Sequence, residues 1–199
     1  MSRPVAVAIT GGIGAGKSEA LAAFARHGAA TVSSDEIVHE LLRRDEVRQA
    51  IVEQFGNGVV APDGHLDRGA VATVVFNDSE QLAWLEELLH PLVAMEYMEW
   101  REQLSHLREP PRVCVTEIPL LYESGAEERF DKVVVITAPE GERHSRSRID
   151  ADKRERRFLP DEEKVARADY AYANTGSLTE LDRFVGSVMD DLTLSLIHI

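Results

Sequence analysis

One cysteine, Cys114, in 199 residues rules out any disulfide within the chain. Lying inside "VCVTEI", it reads as a small buried core residue, and its solitude fits a reducing compartment. No apolar run approaches the ~18 residues a membrane span needs, so no membrane partner is expected. The opening "MSRPVAVAIT" runs into glycine too soon for the apolar stretch of a secretory leader, so the expected location is cytoplasmic. Positive charge is also in short supply. Lys and Arg total 22 against 35 Asp and Glu, a net charge of −13, which argues against bulk attraction to a nucleic-acid backbone. Internal repeats and low-complexity linkers are absent. With 44% hydrophobic and 29% charged residues, the composition is that of an ordinary water-exposed globular chain.

Short continuous apolar runs alternate with amphipathic stretches. Strands are expected at Val5 to Thr10, at 29–35 ("AATVSSD", ending at Asp35), at 113–118 and at 132–138, with a last short one in "ADYAYANTG". Helices are expected over Lys17 to His27 with Gly28 as C-cap, over Glu36 to Phe55 with "RRD" as a point of interruption, from about Asp161, and over Leu178 to Leu194. "GNGVVAPDGHLDRG" reads as a loop or small hairpin, and 79–107 as a long amphipathic helical stretch that Pro91 should break or kink. The alternation predicts an α/β chain with a parallel sheet covered by helices on both faces. The region from about 40 to 109 lacks strong strands and reads as a helical insertion.

The first strand hands over to the first helix through "TGGIGAGKS". Gly11, Gly16, Lys17 and Ser18 fit G-x-x-x-x-G-K-[ST], with Gly12 and Gly14 inside the loop. Glycine suits a backbone that must wrap a phosphate with its N–H groups pointing inward, and the helix start adds its own N–H groups and positive dipole end. Lys17 should reach the β- and γ-phosphates and the Ser18 hydroxyl should ligate Mg²⁺.

A phosphate loop does not specify a reaction. A GTPase would want an N-K-x-D element to read the base, yet none of Lys17, Lys132, Lys153 and Lys164 follows an asparagine. A small-molecule kinase wants a carboxylate near the loop and a basic lid. Asp35, at the end of the second strand, could accept a proton from an attacking hydroxyl, orient it or help organise a metal; alternatively it caps the helix that begins at Glu36. The lid candidate is "RHSRSRIDADKRERR", residues 143–157, which holds seven of the 22 basic residues. Such a run is either a solvated helix with Asp150, Asp152 and Glu155 as partners or a set of arginines that fold over the transferring phosphoryl group and exclude water.

"TGGIGAGKS", "SSDEIVHELL", "DGHLDRGAV", "VFND", "LEELLHP", "EIPLLYESG" and "ADYAYANTG" follow one another in the order and approximate spacing of the dephospho-coenzyme A kinases. The chain resembles that family from about residue 5 to 185. The resemblance implies a P-loop kinase fold, with a nucleotide-binding core at 1–38, 110–140 and 161–199, a helical acceptor domain at 39–109 and a short basic lid at 141–160. It implies ATP and Mg²⁺ as cofactors and dephospho-coenzyme A as acceptor, whose ribose 3′-hydroxyl takes the γ-phosphoryl group in the last step of coenzyme A biosynthesis. Gly12, Ile13, Gly14, Ala15, Gly16, Lys17, Ser18, Glu19 and Asn174 would then bind the nucleotide. Asp35 would be the catalytic carboxylate, and Asp35, Arg68, His90 and Leu120 would meet the acceptor, with Glu117, Pro119 and Leu121 in the same strand-end motif as Leu120.

Local readings compete at two of these positions: His90 before Pro91 could cap a kinked helix, and Arg68 could pair with Asp67 or Asp63. Three departures from the family pattern stand out. "SSD" replaces D-A-D, Glu19 replaces a threonine, and the lid is several residues short, so its arginines do not align uniquely. Arg146 or Arg148 would be the first lid arginine, with Arg146 assigned as catalytic, and Arg154 or Arg156 the second. A nucleoside or nucleotide kinase of similar architecture, or a nucleotide-binding module with little turnover, are the alternative functions. A monomer or weak oligomer is expected.

Overall fold

The computed structural model describes residues 3–139 and 158–195. In chain order the elements are β1 (Val5–Thr10), α1 (Lys17–Arg26), β2 (Ala30–Ser33), α2 (Ser34–Leu41), α3 (Asp45–Phe55), α4 (Arg68–Asn77), α5 (Ser79–Ser105), β3 (Val113–Glu117), β4 (Lys132–Thr137), α6 (Asp161–Arg167), β5 (Tyr170–Ala173) and α7 (Leu178–Ser195). The strands form one sheet in the order β2-β3-β1-β4-β5, and every pairing is parallel.

Strand periodicity explains the layers. Val7 and Ile9 of β1, Val113 and Val115 of β3, and Val134 and Ile136 of β4 point to one face, where they pack with Ala20, Ala23 and Phe24 of α1 and Leu181, Val185 and Val188 of α7. Ala8, Val133 and Val135 point to the other face and meet Leu121, Tyr122 and Ala126 of the segment after β3. The strands that bury both faces are therefore nearly all apolar, the pattern that made them legible. Cys114 is buried in this sheet, and burial pushes its thiol pKa up, as suits a core residue.

The entries of two strands are pinned in the same way. Asp131, just before β4, accepts the Ala6 N–H with Oδ2 at 2.9 Å, donates its own N–H to the Ala6 carbonyl at 2.8 Å and holds Arg3 with Oδ1 at 2.7 Å. Asp169, just before β5, treats Val133 likewise: Oδ2 to the Val133 N–H at 2.8 Å, its N–H to the Val133 carbonyl at 3.0 Å, and Oδ1 to Lys132 at 2.7 Å.

Residue contacts divide the chain into two compact units, Met1–Ser33 with Arg101–Ile199, which contains the sheet, and Ser34–Trp100. The second unit is helical. Ile37, Leu41, Val47, Ile51, Val71, Val75, Leu89 and Tyr97 are buried, Phe55 meets Trp84 edge-on at 5.3 Å, and Arg44 pairs with Glu96 at 2.7 Å. The stretch 57–67 is a small hairpin, with a short helical turn at Asn57–Val59 and an antiparallel bridge from Val60 to Leu66. None of the described helices is long and apolar enough to cross a membrane.

Several boundaries differ from expectation. β2 ends at Ser33 and not at Asp35, because α2 already begins at Ser34 and takes Asp35 and Glu36 into its first turn, where acids suit the helix dipole. The 36–55 stretch is two helices, α2 and α3, separated at 42–44, which holds the two arginines of "RRD", with Asp45 opening α3. The C-cap of α1 is His27, with Gly28 following at φ +89°. Pro91 does not break α5, which runs 27 residues with the proline inside. A proline forfeits a single intrahelical hydrogen bond, which a long helix can absorb.

Candidate functional site: the glycine loop at the sheet edge

The carboxyl ends of β1, β3, β4 and β5 come level in the sheet unit, and the loop after β1 lies among them. Gly11 takes φ +145°, and a Cβ there would lie 1.9 Å from the Ile136 carbonyl oxygen of β4. Gly16 takes φ +98°, and a Cβ would lie 2.3 Å from Nδ2 of Asn174. Both positions therefore demand glycine twice over, for backbone conformation and for space. α1 then starts at Lys17 with no side-chain cap, so the first N–H groups of the helix lie at the loop.

Two loop carbonyls are occupied by donors from the protein. Gly12 O accepts from Lys17 Nζ at 2.9 Å and from the Ala15 N–H at 3.3 Å. Ala15 O accepts from Asn174 Nδ2 at 2.9 Å, and the Asn174 N–H donates to Thr137 O at 2.7 Å. Lys17 is 8% exposed and Asn174 6%. The result is a stiff loop whose carbonyls are turned toward the protein, a backbone form suited to anions.

Beside it stands Glu117, the last residue of β3, 7% exposed, with Oε1 3.4 Å from Ser18 Oγ. A buried carboxylate facing a hydroxyl offers hard oxygen donors of the kind Mg²⁺ accepts. Among the described residues no group of three or more His, Cys, Asp and Glu side chains could hold a metal, so a cation here would draw its other ligands from phosphate and water. Sequence reasoning had Glu117 only as part of a strand-end motif beside the acceptor. The sign that it belongs with Ser18 was an acid at the carboxyl end of a buried parallel strand. Leu120 and Leu121 follow, half-buried and buried, and Thr10 Oγ1 donates to Pro119 O at 3.1 Å.

A second polar cluster was missed altogether. Lys164 of α6 is fully buried, 2.8 Å from Glu123 Oε1, with its ammonium 4.6 Å from the Phe158 ring centroid. Glu123 Oε1 also accepts the Leu159 N–H at 2.8 Å, while its Oε2 is buried with no hydrogen-bond partner among the described residues. One turn on, Arg167 lies 4.2 Å over the Tyr122 ring and pairs with Glu127. Burial raises the Tyr122 pKa against the lowering pull of Arg167.

The remaining sequence-derived candidates divide as follows. Ile13 and Gly14 are half-buried in the loop, and Ser18 and Glu19 are exposed in the first turn of α1. Asp35, Arg68 and His90 belong to the helical unit. Asp35 is exposed on α2, two residues past β2. Arg68 is exposed as the first residue of α4; the aspartates proposed as its local partners instead bond backbone, Asp67 capping α4 through Gly69 and Ala70 and Asp63 accepting from His65. His90 is exposed in the interior of α5 and so caps nothing. Arg146, the other lid candidates Arg148, Arg154 and Arg156, and the apolar end from residue 196 lie outside the described residues.

Comparison with known proteins agrees with this geometry. The family model described as dephospho-CoA kinase matches residues 5–180. A dephospho-CoA kinase of Streptomyces avermitilis is 38% identical, over 94% of this chain and 93% of its own length. A crystal structure of TT1252 from Thermus thermophilus superposes with a TM-score of 0.78 at 36% identity, covering 96% of this chain and 99% of that one. The dephospho-CoA kinase from Campylobacter jejuni superposes with a TM-score of 0.67 at 25% identity, covering 96% and 98%.

Proposed function

The chain belongs to the dephospho-CoA kinase family, and on that premise we propose how its own residues carry out the reaction. It is a kinase that phosphorylates dephospho-coenzyme A to coenzyme A with a nucleoside triphosphate, ATP, as donor. The 3′-hydroxyl oxygen attacks the γ-phosphorus, the bond from that phosphorus to the bridging oxygen breaks, and ADP leaves. The hydroxyl proton passes to the Asp35 carboxylate, which also orients the nucleophile.

The observation that carries this reading is the loop itself, with glycine demanded at Gly11 and Gly16 and Lys17 held over it. The polyphosphate sits against the N–H groups of the loop and of the first turn of α1. Lys17 exchanges the Gly12 carbonyl for a phosphate oxygen and offsets charge as the bond to the leaving group lengthens. Ser18 and Glu117 would hold Mg²⁺, which would supply positive charge to offset that of the phosphates. By the family resemblance, Arg68, His90 and Leu120 are the residues that would meet the acceptor, and Arg146 one that would clamp the phosphates. The cytoplasm, reducing and rich in ATP, suits a chain whose sole cysteine is unpaired and buried.

The test is a substrate panel with ATP and Mg²⁺: dephospho-coenzyme A, nucleosides, and nucleoside monophosphates, with ADP followed and the product position read by phosphorus NMR. Turnover should be confined to dephospho-coenzyme A, with the new phosphate on the 3′-oxygen. Faster turnover of a nucleoside or monophosphate, or none with any acceptor, refutes the assignment.

A further inference from the structure

Asn174 bears on the nucleotide without needing to touch it. It follows β5 directly and is 159 residues from its partner in the loop, yet the fit is close. Its N–H bonds to Thr137 O at 2.7 Å, which extends the β4–β5 pairing by one step and fixes where the side chain starts. The carboxamide nitrogen then donates to Ala15 O at 2.9 Å, in a buried setting where such a bond costs most to lose. It also occupies the space that a Cβ on residue 16 would fill, 2.3 Å away, and apart from the chain neighbours of Gly16 no other residue comes within 4 Å of that position.

The carbonyl and N–H of a trans peptide point in opposite directions. Fixing the Ala15 carbonyl toward Asn174 therefore turns the Gly16 N–H away from it. The Lys17 ammonium and the Ala15 N–H treat the Gly12 carbonyl in the same sense, so loop carbonyls face protein donors at both positions. We infer that Asn174 is a positioning residue of the phosphate loop, whose side-chain amide holds the Ala15–Gly16 peptide so that the Gly16 N–H meets the bound polyphosphate. This rests on the kinase reading above and gives Asn174 a role that acts through the loop.

Inorganic tripolyphosphate is the probe, since it has the phosphates and no base or sugar. By calorimetry, Asn174→Ala should weaken tripolyphosphate about tenfold, and Asn174→Asp more, because a carboxylate has no donor for Ala15 O and repels it. In kinetics the KM for ATP should rise while the KM for dephospho-coenzyme A stays put. A merely structural role would move both constants or neither. In the wild-type protein, tripolyphosphate should shift the Gly16 backbone amide strongly in ¹⁵N NMR and leave the Asn174 side-chain amide where it was, a readout that stands if a variant fails to fold. If tripolyphosphate binds wild type and both variants alike, or shifts the Asn174 side-chain amide and not Gly16, the positioning role is overturned and the kinase reading stands. If tripolyphosphate does not bind wild type, both fall.

Discussion

Replacing Lys164 by methionine should destabilise the sheet unit by about 3–5 kcal/mol, the usual cost of leaving one member of a buried ion pair alone. The ammonium is fully buried, 2.8 Å from Glu123 Oε1 and 4.6 Å from the Phe158 ring centroid. Methionine keeps most of the apolar stem and its packing, so the loss isolates the charge. Glu123 is then left mostly buried, with the Leu159 N–H as its partner. Glu123→Gln retains an acceptor for Leu159 but leaves the buried ammonium without a counter-charge, and should cost a similar amount. The double variant removes both charges and keeps that acceptor, so it should recover most of what either single change loses. Urea unfolding followed by far-ultraviolet circular dichroism is the assay. At a slope of about 2 kcal/mol per molar, each single variant should lower the midpoint by ~1.5–2.5 M. A Lys164→Met midpoint within ~0.5 M of wild type, or a double variant no better than the singles, would refute the claim that opposite charge is what allows this lysine its place.

Asp35→Ala should leave ATP affinity nearly intact and lower kcat by about 10²–10⁴, the range of a general base; full turnover with dephospho-coenzyme A removes Asp35 from the mechanism. Glu117→Gln should raise the Mg²⁺ concentration needed for half-maximal rate by about tenfold, since a neutral amide is a poorer ligand for a hard cation, and an unchanged Mg²⁺ curve counts against the pairing with Ser18. Asp182 is held below the usual carboxylate range by hydrogen bonds from Arg26 and then His27, so its contribution to stability is present above the ordinary value near 3.9 and is lost as pH falls below it. The melting-temperature gap between wild type and Asp182→Asn should therefore exist at neutral pH and close in acid; a gap that persists unchanged at pH ~2 contradicts this.

What could be read from the chain beforehand followed local physics. "VAVAIT" and "KVVVITA" are strands because both faces are buried, and the glycine pattern gave the loop its identity before any partner was known. Asp35 was misplaced at a strand end because "SSD" permits either extended backbone or a helix start, and the choice for helix lies in the apolar spacing of "EIVHEL". Pro91 in isolation reads as a point of breakage or kinking, yet a long helix can absorb one missing bond. The tie from Asn174 to Ala15 and that from Lys164 to Glu123 were illegible for another reason. They join residues brought together by the sheet order, and a lysine in "DEEKVAR" looks in isolation like any solvent-facing helix residue.

The paired acids at the strand entries have a reach beyond their own hydrogen bonds. In a parallel sheet, a slip by one residue at the rim where chains enter is transmitted along the whole strand, about 3.3 Å per position. A shift of that size carries Asn174 Nδ2 out of hydrogen-bond reach of Ala15 O, so the glycine loop would lose this contact without any change near it. Asp131 and Asp169 thus act as alignment stops for the loop at the opposite end of the strands, roughly 20 Å away along six-residue β4 and about 13 Å along four-residue β5.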